Sequence, residues 1–381
     1  MKILVTGSNG FIGKNIIAQL NIKDGVEIVS FDKEDSFTKI EENIESIDFI
    51  IHLAGINRPK DKSEFYKGNT DLTKNLIDLI LRRGLSIPII ISSSIQAVKD
   101  NDYGKSKKQA EDILIEYSKS NPTYIYRLHN VFGKWCRPNY NSVVATFCNN
   151  IANGLEISVN DTNLNLELVY IDDIVEEFIN IIETGNPNKK IGNYCYIEPK
   201  YEIKLGELAN LIESFKKDTS SLYVPNTGDE FIKKMYATYI SYVPIKDLIV
   251  DLEKHEDNRG MFTEVIKTNK CGQFSVSISK PGIIRGNHYH HTKMERFIVI
   301  KGSARIIFTH IINGESYEIN VNDKEIKEVT IPVGYTHSIE NTGNEEMILL
   351  IWGNELFNQQ KPDTIFKEVS NNNINIIKGE N

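Results

Sequence analysis

The apolar pattern of this 381-residue chain changes period once, near Pro244, and no single layer arrangement accommodates both sides of that change. Before it, short near-continuous apolar runs at 3–5, 26–31, 49–53, 87–91 and 124–127 alternate with longer amphipathic stretches. Such runs separated by helices predict a parallel sheet covered on both faces, a doubly wound α/β domain. From about 155 to 242 the pattern loosens into a smaller α/β region. Beyond His255 the helical period is gone, and strand-length runs recur at 274–279, 297–300, 304–309, 316–321, 328–331 and 347–352. Short strands at turn-punctuated spacing predict an all-β sandwich or barrel. The expected domains are 1–244 and 245–369, with an Asn-rich polar tail at 370–381.

Composition mostly excludes. A formal charge of −8 without a Lys/Arg-rich run gives no electrostatic reason to bind nucleic acid or an anionic membrane. The cysteines, Cys136, Cys148, Cys195 and Cys271, include no CxxC pair, so neither a disulfide framework nor a thiolate zinc site is expected. The chain opens directly into a glycine loop without a signal-peptide hydrophobic region, and no apolar stretch approaches the roughly 18 residues of a membrane span. It reads as cytoplasmic.

Two sets of residues carry chemistry. Thr6-Gly7-Ser8-Asn9-Gly10-Phe11-Ile12-Gly13 follows the first strand and opens a helix. Gly7, Gly10 and Gly13 permit a tight turn whose N–H groups face a pyrophosphate at the positive helix end, so a dinucleotide is expected there. Phe11, Ile12 and, after the third strand, Leu53 and Ala54 complete that expected site. Asp32, ending the second strand, favours the ribose hydroxyls of NAD, whereas Lys33 suits the 2′-phosphate of NADP, and the sequence leaves the choice open. Tyr103 and Lys107 stand four apart at a helix start, so both can face one site. A phenol is a poor proton shuttle at its ordinary pKa of about 10, and a neighbouring ammonium would lower it. Tyr103 could then protonate a carbonyl oxygen while NAD(P)H delivers hydride to the carbon, with Ser94 hydrogen-bonding the same oxygen.

These residues together resemble the extended short-chain dehydrogenase/reductase family, which implies a Rossmann-type fold. His52-Leu-Ala-Gly55 and Arg127-Leu-His-Asn130-Val-Phe-Gly133 extend the resemblance, and by it Asn130 and Lys134 lie near a sugar diphosphate. Nucleotide-sugar 4,6-dehydratases of that family follow the catalytic hydroxyl with Asp-Glu. This chain has Ile95-Gln96 after Ser94, which leaves simple reduction or 4-epimerisation.

The second set is His288-x-His290, Glu295 and Pro332-x-Gly334-x-x-His337. Histidines two apart on a strand share a face, and three imidazoles with one carboxylate suit Zn, Mn, Fe, Ni or Cu. With Gly282, Gly302 and Asn341 the spacing resembles both motifs of the metal cupins, except that Ile326 stands where a glycine is usual. Asp257-x-Arg259-Gly260-x-Phe262-x-Glu264, followed by Arg285-Gly-Asn-His288, is similar to the dTDP-4-keto-sugar 3,5-epimerases. That similarity implies substrate contacts for Arg259 and Arg285, and makes His288 either a metal ligand or the base that removes a proton alpha to a ketone. Both readings imply enolisation beside a carbonyl.

Over nearly its whole length the chain resembles reductase–cupin fusions of bacterial capsular-polysaccharide synthesis, through Ser92-Ser-Ser-Ile-Gln96, Phe132-Gly-Lys-Trp-Cys136, Pro138-Asn-Tyr-Asn-Ser142 and Asn287-His-Tyr-His-His-Thr-Lys293. The resemblance implies that a cupin barrel inverts C3 of UDP-2-acetamido-2,6-dideoxy-4-hexulose. The reductase then reduces C4 with NADPH to UDP-2-acetamido-2,6-dideoxy-L-talose, on the route to N-acetyl-L-fucosamine. It also implies zinc and a homodimer. The competing expectation is a UDP-sugar 4-epimerase holding NAD, with a structural or sugar-sensing cupin.

Overall fold

The computed structural model describes residues 1–219, 221, 223–252, 255–257, 260–262, 266–268, 272–355, 360–370 and 374–377. The first sheet has seven strands, β1 (Lys2–Thr6), β2 (Glu27–Phe31), β3 (Phe49–His52), β4 (Ile89–Ser94), β5 (Thr123–Leu128), β6 (Lys190–Ile191) and β7 (Tyr194–Cys195). Their order is β2-β1-β3-β4-β5-β7-β6, and every pair except β6 with β7 is parallel. Side chains alternate between two cores. Leu4, Ile50, Ile89, Ile91 and Ile125 pack with helices α2 (Leu72–Arg82) and α3 (Asp102–Tyr117) on one face. Ile3, Val5, Ile51, Ile90 and Tyr126 pack with α1 (Phe11–Leu20) and α4 (Ile171–Thr184) on the other. Burial on both faces explains why these strands are nearly continuous apolar runs.

The chain divides into two compact units, 1–142 with 165–203, and 143–164 with 204–381. The change near Pro244 is thus a change of secondary-structure type that does not coincide with this division. Helices Val143–Ala152, Leu205–Thr219 and Glu230–Ile240 fall in the second unit with the antiparallel strands. A buried charge helps explain this. Arg296 is fully buried, 3.4 Å from the buried Glu328, and donates to the Tyr236 hydroxyl at 3.2 Å. A guanidinium in such a position depends on those partners, so helix Glu230–Ile240 is held to the sheet.

Besides a two-stranded antiparallel pair, His255–Asp257 with Gly260–Phe262, the antiparallel strands form two larger sheets. One comprises β8 (Ile249–Asp251), β9 (Gln273–Ser279), β11 (Glu295–Lys301), β14 (Lys327–Ile331) and β16 (Met347–Gly353), in the order β8-β14-β11-β16-β9. The other comprises β10 (Ile284–Tyr289), β12 (Ser303–His310), β13 (Ser316–Asn322), β15 (Tyr335–Asn341), β17 (Ile365–Phe366) and β18 (Ile374–Ile376), in the order β17-β10-β15-β12-β13-β18. The expected polar tail therefore contributes a strand, because Ile374-Asn375-Ile376 runs parallel to Ser316–Glu318 at the sheet edge. Among the described residues no helix is long and apolar enough to cross a membrane.

Candidate active sites

The first site is built on the turn after β1. Gly7 has φ +69°, and a Cβ there would lie 2.8 Å from the Ala54 nitrogen; one on Gly13 would lie 2.3 Å from the Gly7 carbonyl oxygen. The turn is therefore pressed against segment 53–54 and the start of α1 at a distance only glycine allows. Gly10 caps α1 without a side-chain hydrogen bond, so the helix presents backbone N–H groups at its start beside Phe11 and Ile12. This cradle fits a dinucleotide pyrophosphate.

Asp32 is committed elsewhere. Its carboxylate accepts from the Asn9 N–H at 2.5 Å, the Ser8 hydroxyl at 3.3 Å and the Lys33 N–H at 2.9 Å, so it braces the glycine turn. Lys33 is exposed and has no ion pair among the described residues.

His52 is buried, and its partners fix its tautomer. The Thr73 hydroxyl donates to the Asn69 carbonyl at 2.7 Å, so it accepts from His52 Nε2 at 2.9 Å. Nδ1 then accepts from the Thr6 hydroxyl at 2.7 Å, and the Thr6 oxygen accepts from the Leu53 and Ala54 N–H groups at 3.2 and 3.1 Å. Burial, with the Lys107 charge second, holds the imidazole pKa at about 3, so it stays neutral. His52 thereby sets the backbone of Leu53 and Ala54, a role its motif position did not reveal.

Tyr103 comes from the first turn of α3, which Asn101 caps by accepting from the Gly104 N–H at 2.7 Å. A Cβ on Gly104 would lie 2.4 Å from the Lys99 carbonyl oxygen, so the helix start packs closely on the turn after β4. That contact brings Tyr103 near Ser94, whose hydroxyl acts on its phenol. Burial raises the phenol pKa and the Ser94 hydroxyl lowers it, with burial the larger. The lowering expected from Lys107 therefore does not prevail in the chain itself. Lys107 is buried, donates to the Ser92 carbonyl at 3.1 Å, and is held by burial at about 8.

Lys134, expected beside a sugar diphosphate, is instead buried against Asp172, 2.7 and 2.9 Å from its two oxygens. Its charge is satisfied internally. Asn130 is exposed and donates weakly to the Glu167 carbonyl at 3.3 Å.

The second site draws on both antiparallel sheets. His288 lies on β10 opposite His337 on β15, His290 follows β10, and Glu295 opens β11. The ligand atoms of these residues all lie within 4.8 Å of one another. A tetrahedral zinc site places its donors roughly 3.4 Å apart, so small side-chain movements close the set around an ion. His337 is buried, and neither ring nitrogen has a hydrogen-bond partner among the described residues; Nε2 stands 3.5 Å from Glu295 Oε2. Unsatisfied buried imidazole nitrogens beside a carboxylate fit a metal ligand set. Burial and the two other imidazoles hold His288 at about 4, which leaves it neutral, as a ligand or a base requires. Burial opposes ionisation of Glu295, yet His290 and His337 hold its carboxyl far below the usual range.

Two supporting residues escaped the sequence analysis. Asp363 accepts from the His291, Thr292 and Lys293 N–H groups and from the Thr292 hydroxyl, and its carbonyl accepts from His290 Nδ1. That leaves His290 Nε2 facing the cluster. Lys293 Nζ lies 3.0 Å from Glu295 Oε1, so Oε2 faces the imidazoles. Arg285 is exposed, donating to the Ser279 hydroxyl at 2.9 Å and the Ile278 carbonyl at 3.2 Å. Arg259 lies outside the described residues.

Residues 3–194 match the NAD dependent epimerase/dehydratase family, and residues 255–365 match the polysaccharide biosynthesis C-terminal domain. A UDP-2-acetamido-2,6-beta-L-arabino-hexul-4-ose reductase from Pseudomonas aeruginosa is 44% identical, over 96% of this chain and 98% of that protein. The crystal structure of the capsular polysaccharide assembling protein CapF from Staphylococcus aureus is 44% identical, with a TM-score of 0.67 over 97% of this chain and 100% of CapF. A second CapF structure, with the inhibitor 3-isopropenyl-tropolone, is 40% identical with a TM-score of 0.62, over 97% of this chain and 100% of that one. The resemblance to enzymes of capsular-polysaccharide synthesis is borne out over nearly the whole chain.

Proposed function

Because the chain belongs to the NAD dependent epimerase/dehydratase family and is matched end to end by a 4-keto-sugar reductase, we propose that it is a two-step UDP-sugar enzyme of surface-polysaccharide synthesis. In this reading the cupin region, 245–369, epimerises C3 of UDP-2-acetamido-2,6-dideoxy-4-hexulose. The 1–244 region then reduces the C4 ketone to UDP-2-acetamido-2,6-dideoxy-L-talose, drawing NADPH and nucleotide sugar from the cytoplasm. The observation that carries it is the presence of both residue sets, Ser94/Tyr103/Lys107 and the His/Glu cluster, on one chain.

When bound, the nicotinamide supplies hydride to C4. Tyr103 gives its phenolic proton to the ketone oxygen, Ser94 orients that oxygen, and Lys107 holds positive charge beside the phenolate that results. The glycine turn, Leu53 and Ala54 hold the dinucleotide, with Lys33 free for a 2′-phosphate while Asp32 braces the turn.

In the cupin region His290, Glu295 and His337 would hold a divalent metal, zinc by preference, with His288 as fourth ligand or as the base at C3. When bound, the metal supplies positive charge to a developing enolate oxygen. His288→Asn separates the two roles: a ligand's loss lowers metal content together with exchange at C3, whereas a base's loss stops exchange and leaves the metal. Homodimerisation is supported by the exposed Phe274, Val276 and Ile278 on edge strand β9.

The test is incubation with NADPH and the 4-keto UDP-sugar in deuterated water. The expected result is stoichiometric loss of nicotinamide absorbance with deuterium at C3. Absence of NADPH consumption with the 4-keto sugar, together with C4 inversion of the corresponding 4-hydroxy UDP-sugar, would replace this reading with the NAD-holding 4-epimerase.

A further inference from the structure

Two arginines of the first unit converge on one tyrosine. Arg58, in the loop after β3, places its guanidinium carbon 5.7 Å from the Tyr140 ring centroid, and Arg137 places its own at 5.3 Å. Both distances are within cation–π reach. The two cations are then no more than roughly 11 Å apart, about a Debye length at moderate salt, so each feels the other. Both are exposed, and neither has an acidic partner among the described residues. By contrast Arg83, Arg127, Arg296 and Arg305 each pair with a glutamate.

The loop bearing Arg137 and Tyr140 is also held at a conformational cost. Three non-glycine residues have positive φ among the described residues: Trp135 at 67°, Asn139 at 54° and Asn287 at 54°. Asn287 adjoins His288 at the metal cluster; the other two bracket Arg137. A bulky side chain in the left-handed region costs energy, and such strain concentrates at ligand clamps.

Position selects the ligand. The dinucleotide's adenosine end belongs at β2, beside Asp32 and Lys33, whereas Arg58 follows β3 and Arg137 follows β5, on the catalytic side of the sheet. The Arg58 loop runs along that centre: a Cβ on Gly55 would lie 3.0 Å from Lys107 Nζ, and the Phe65 and Tyr103 rings are 5.6 Å apart. We propose that Arg58 and Arg137, set around Tyr140, form the clamp for the diphosphate of the UDP-sugar in the reductase site. This rests on the substrate class proposed above. Guanidiniums bind phosphate oxygens in bidentate fashion, and two from separate loops can grip a diphosphate while Tyr140 fixes their planes.

Binding of UDP and of uridine to the NADPH-loaded full chain, by calorimetry, tests the clamp. The wild type is expected to favour UDP strongly. Arg58→Ala and Arg137→Ala should each weaken UDP binding roughly ten- to hundred-fold, with uridine and NADPH affinities unchanged. The double variant should bind UDP no better than uridine, while NADPH affinity reports that the fold is intact. Variants that keep wild-type UDP affinity overturn the clamp and leave the substrate reading standing. A wild type indifferent to UDP overturns both.

Discussion

Asp32 and Lys33 are adjacent and opposite in charge, yet only one is available to a ligand. Asp32 spends its oxygens on Asn9, Ser8 and the Lys33 N–H, whereas Lys33 stands exposed. NADPH should therefore be preferred, and Lys33→Ala should weaken NADPH binding by about 1.5–3 kcal/mol, the value of a charge-assisted contact, with NADH little changed. Titration of nicotinamide fluorescence checks this, and equal affinities in the parent protein would refute it. The sequence left the cofactor open because the partner that occupies Asp32 lies 23 residues away and is joined to it only by folding. Lys107 carries a second consequence. Burial holds it at about 8, below the ordinary lysine value of about 10.4. Between those values the unfolded chain binds more protons at this site than the folded chain, so stability rises with pH there. The penalty for burying the ammonium is complete below about 8 and fades toward about 10. Lys107→Met should stabilise the cofactor-free protein more at pH about 7 than at about 9.5, relative to wild type. Paired urea unfolding curves measure this, and a difference independent of pH contradicts it.

At the scale of elements, two strands that carry the metal cluster are ones the apolar pattern misses. β1 to β5 follow from their apolar runs, as do β9, β11, β12, β13, β14 and β16. The apolar runs omit β10 and β15, which supply His288 and His337, because Arg285-Gly-Asn-His288 and Tyr335-Thr-His337-Ser338 interrupt the alternation with the polar groups the site needs. Their spacing identified the cluster all the same, since a ligand pattern is local where a strand pattern fails. The second layer of support was not legible: Asp363 lies about 70 residues beyond the segment it clamps, and no motif links them. Burial opposes its ionisation, but His291 and the backbone N–H groups of the segment hold its carboxyl at about 2. Asp363→Asn replaces an acceptor oxygen with a donor, so N–H groups at 291–293 lose a partner and the segment that follows His290 loosens, while the backbone carbonyl that meets His290 Nδ1 remains. Metal affinity should fall about 10- to 100-fold, the usual effect of removing an outer-layer partner, as read by competition with a chromophoric chelator. Unchanged affinity would show that the clamp does not govern the ligands.

For the whole molecule, every residue assigned to the nicotinamide site lies in the first compact unit and every member of the metal cluster in the second. Each unit supplies its own core and its own polar network: Ser93, Glu111 and Arg127 in the first, Arg296, Glu328 and Tyr236 in the second. Under the proposed two-step function, chemistries with separate scaffolds require only that the intermediate, a complete UDP-sugar, pass from one to the other. A variant defective in one step should therefore complement a variant defective in the other. Tyr103→Phe should keep deuterium exchange at C3 and lose NADPH oxidation, because only the phenolic proton is missing. His337→Asn should lose exchange and, lacking epimerised substrate, oxidise little NADPH. Mixed at equal concentration, the two should restore product formation to a substantial fraction of the wild-type rate, read by nicotinamide absorbance and by NMR of the reduced sugar. If the mixture stays as inactive as its components, the intermediate does not leave the chain that makes it, and the two steps are coupled within one molecule.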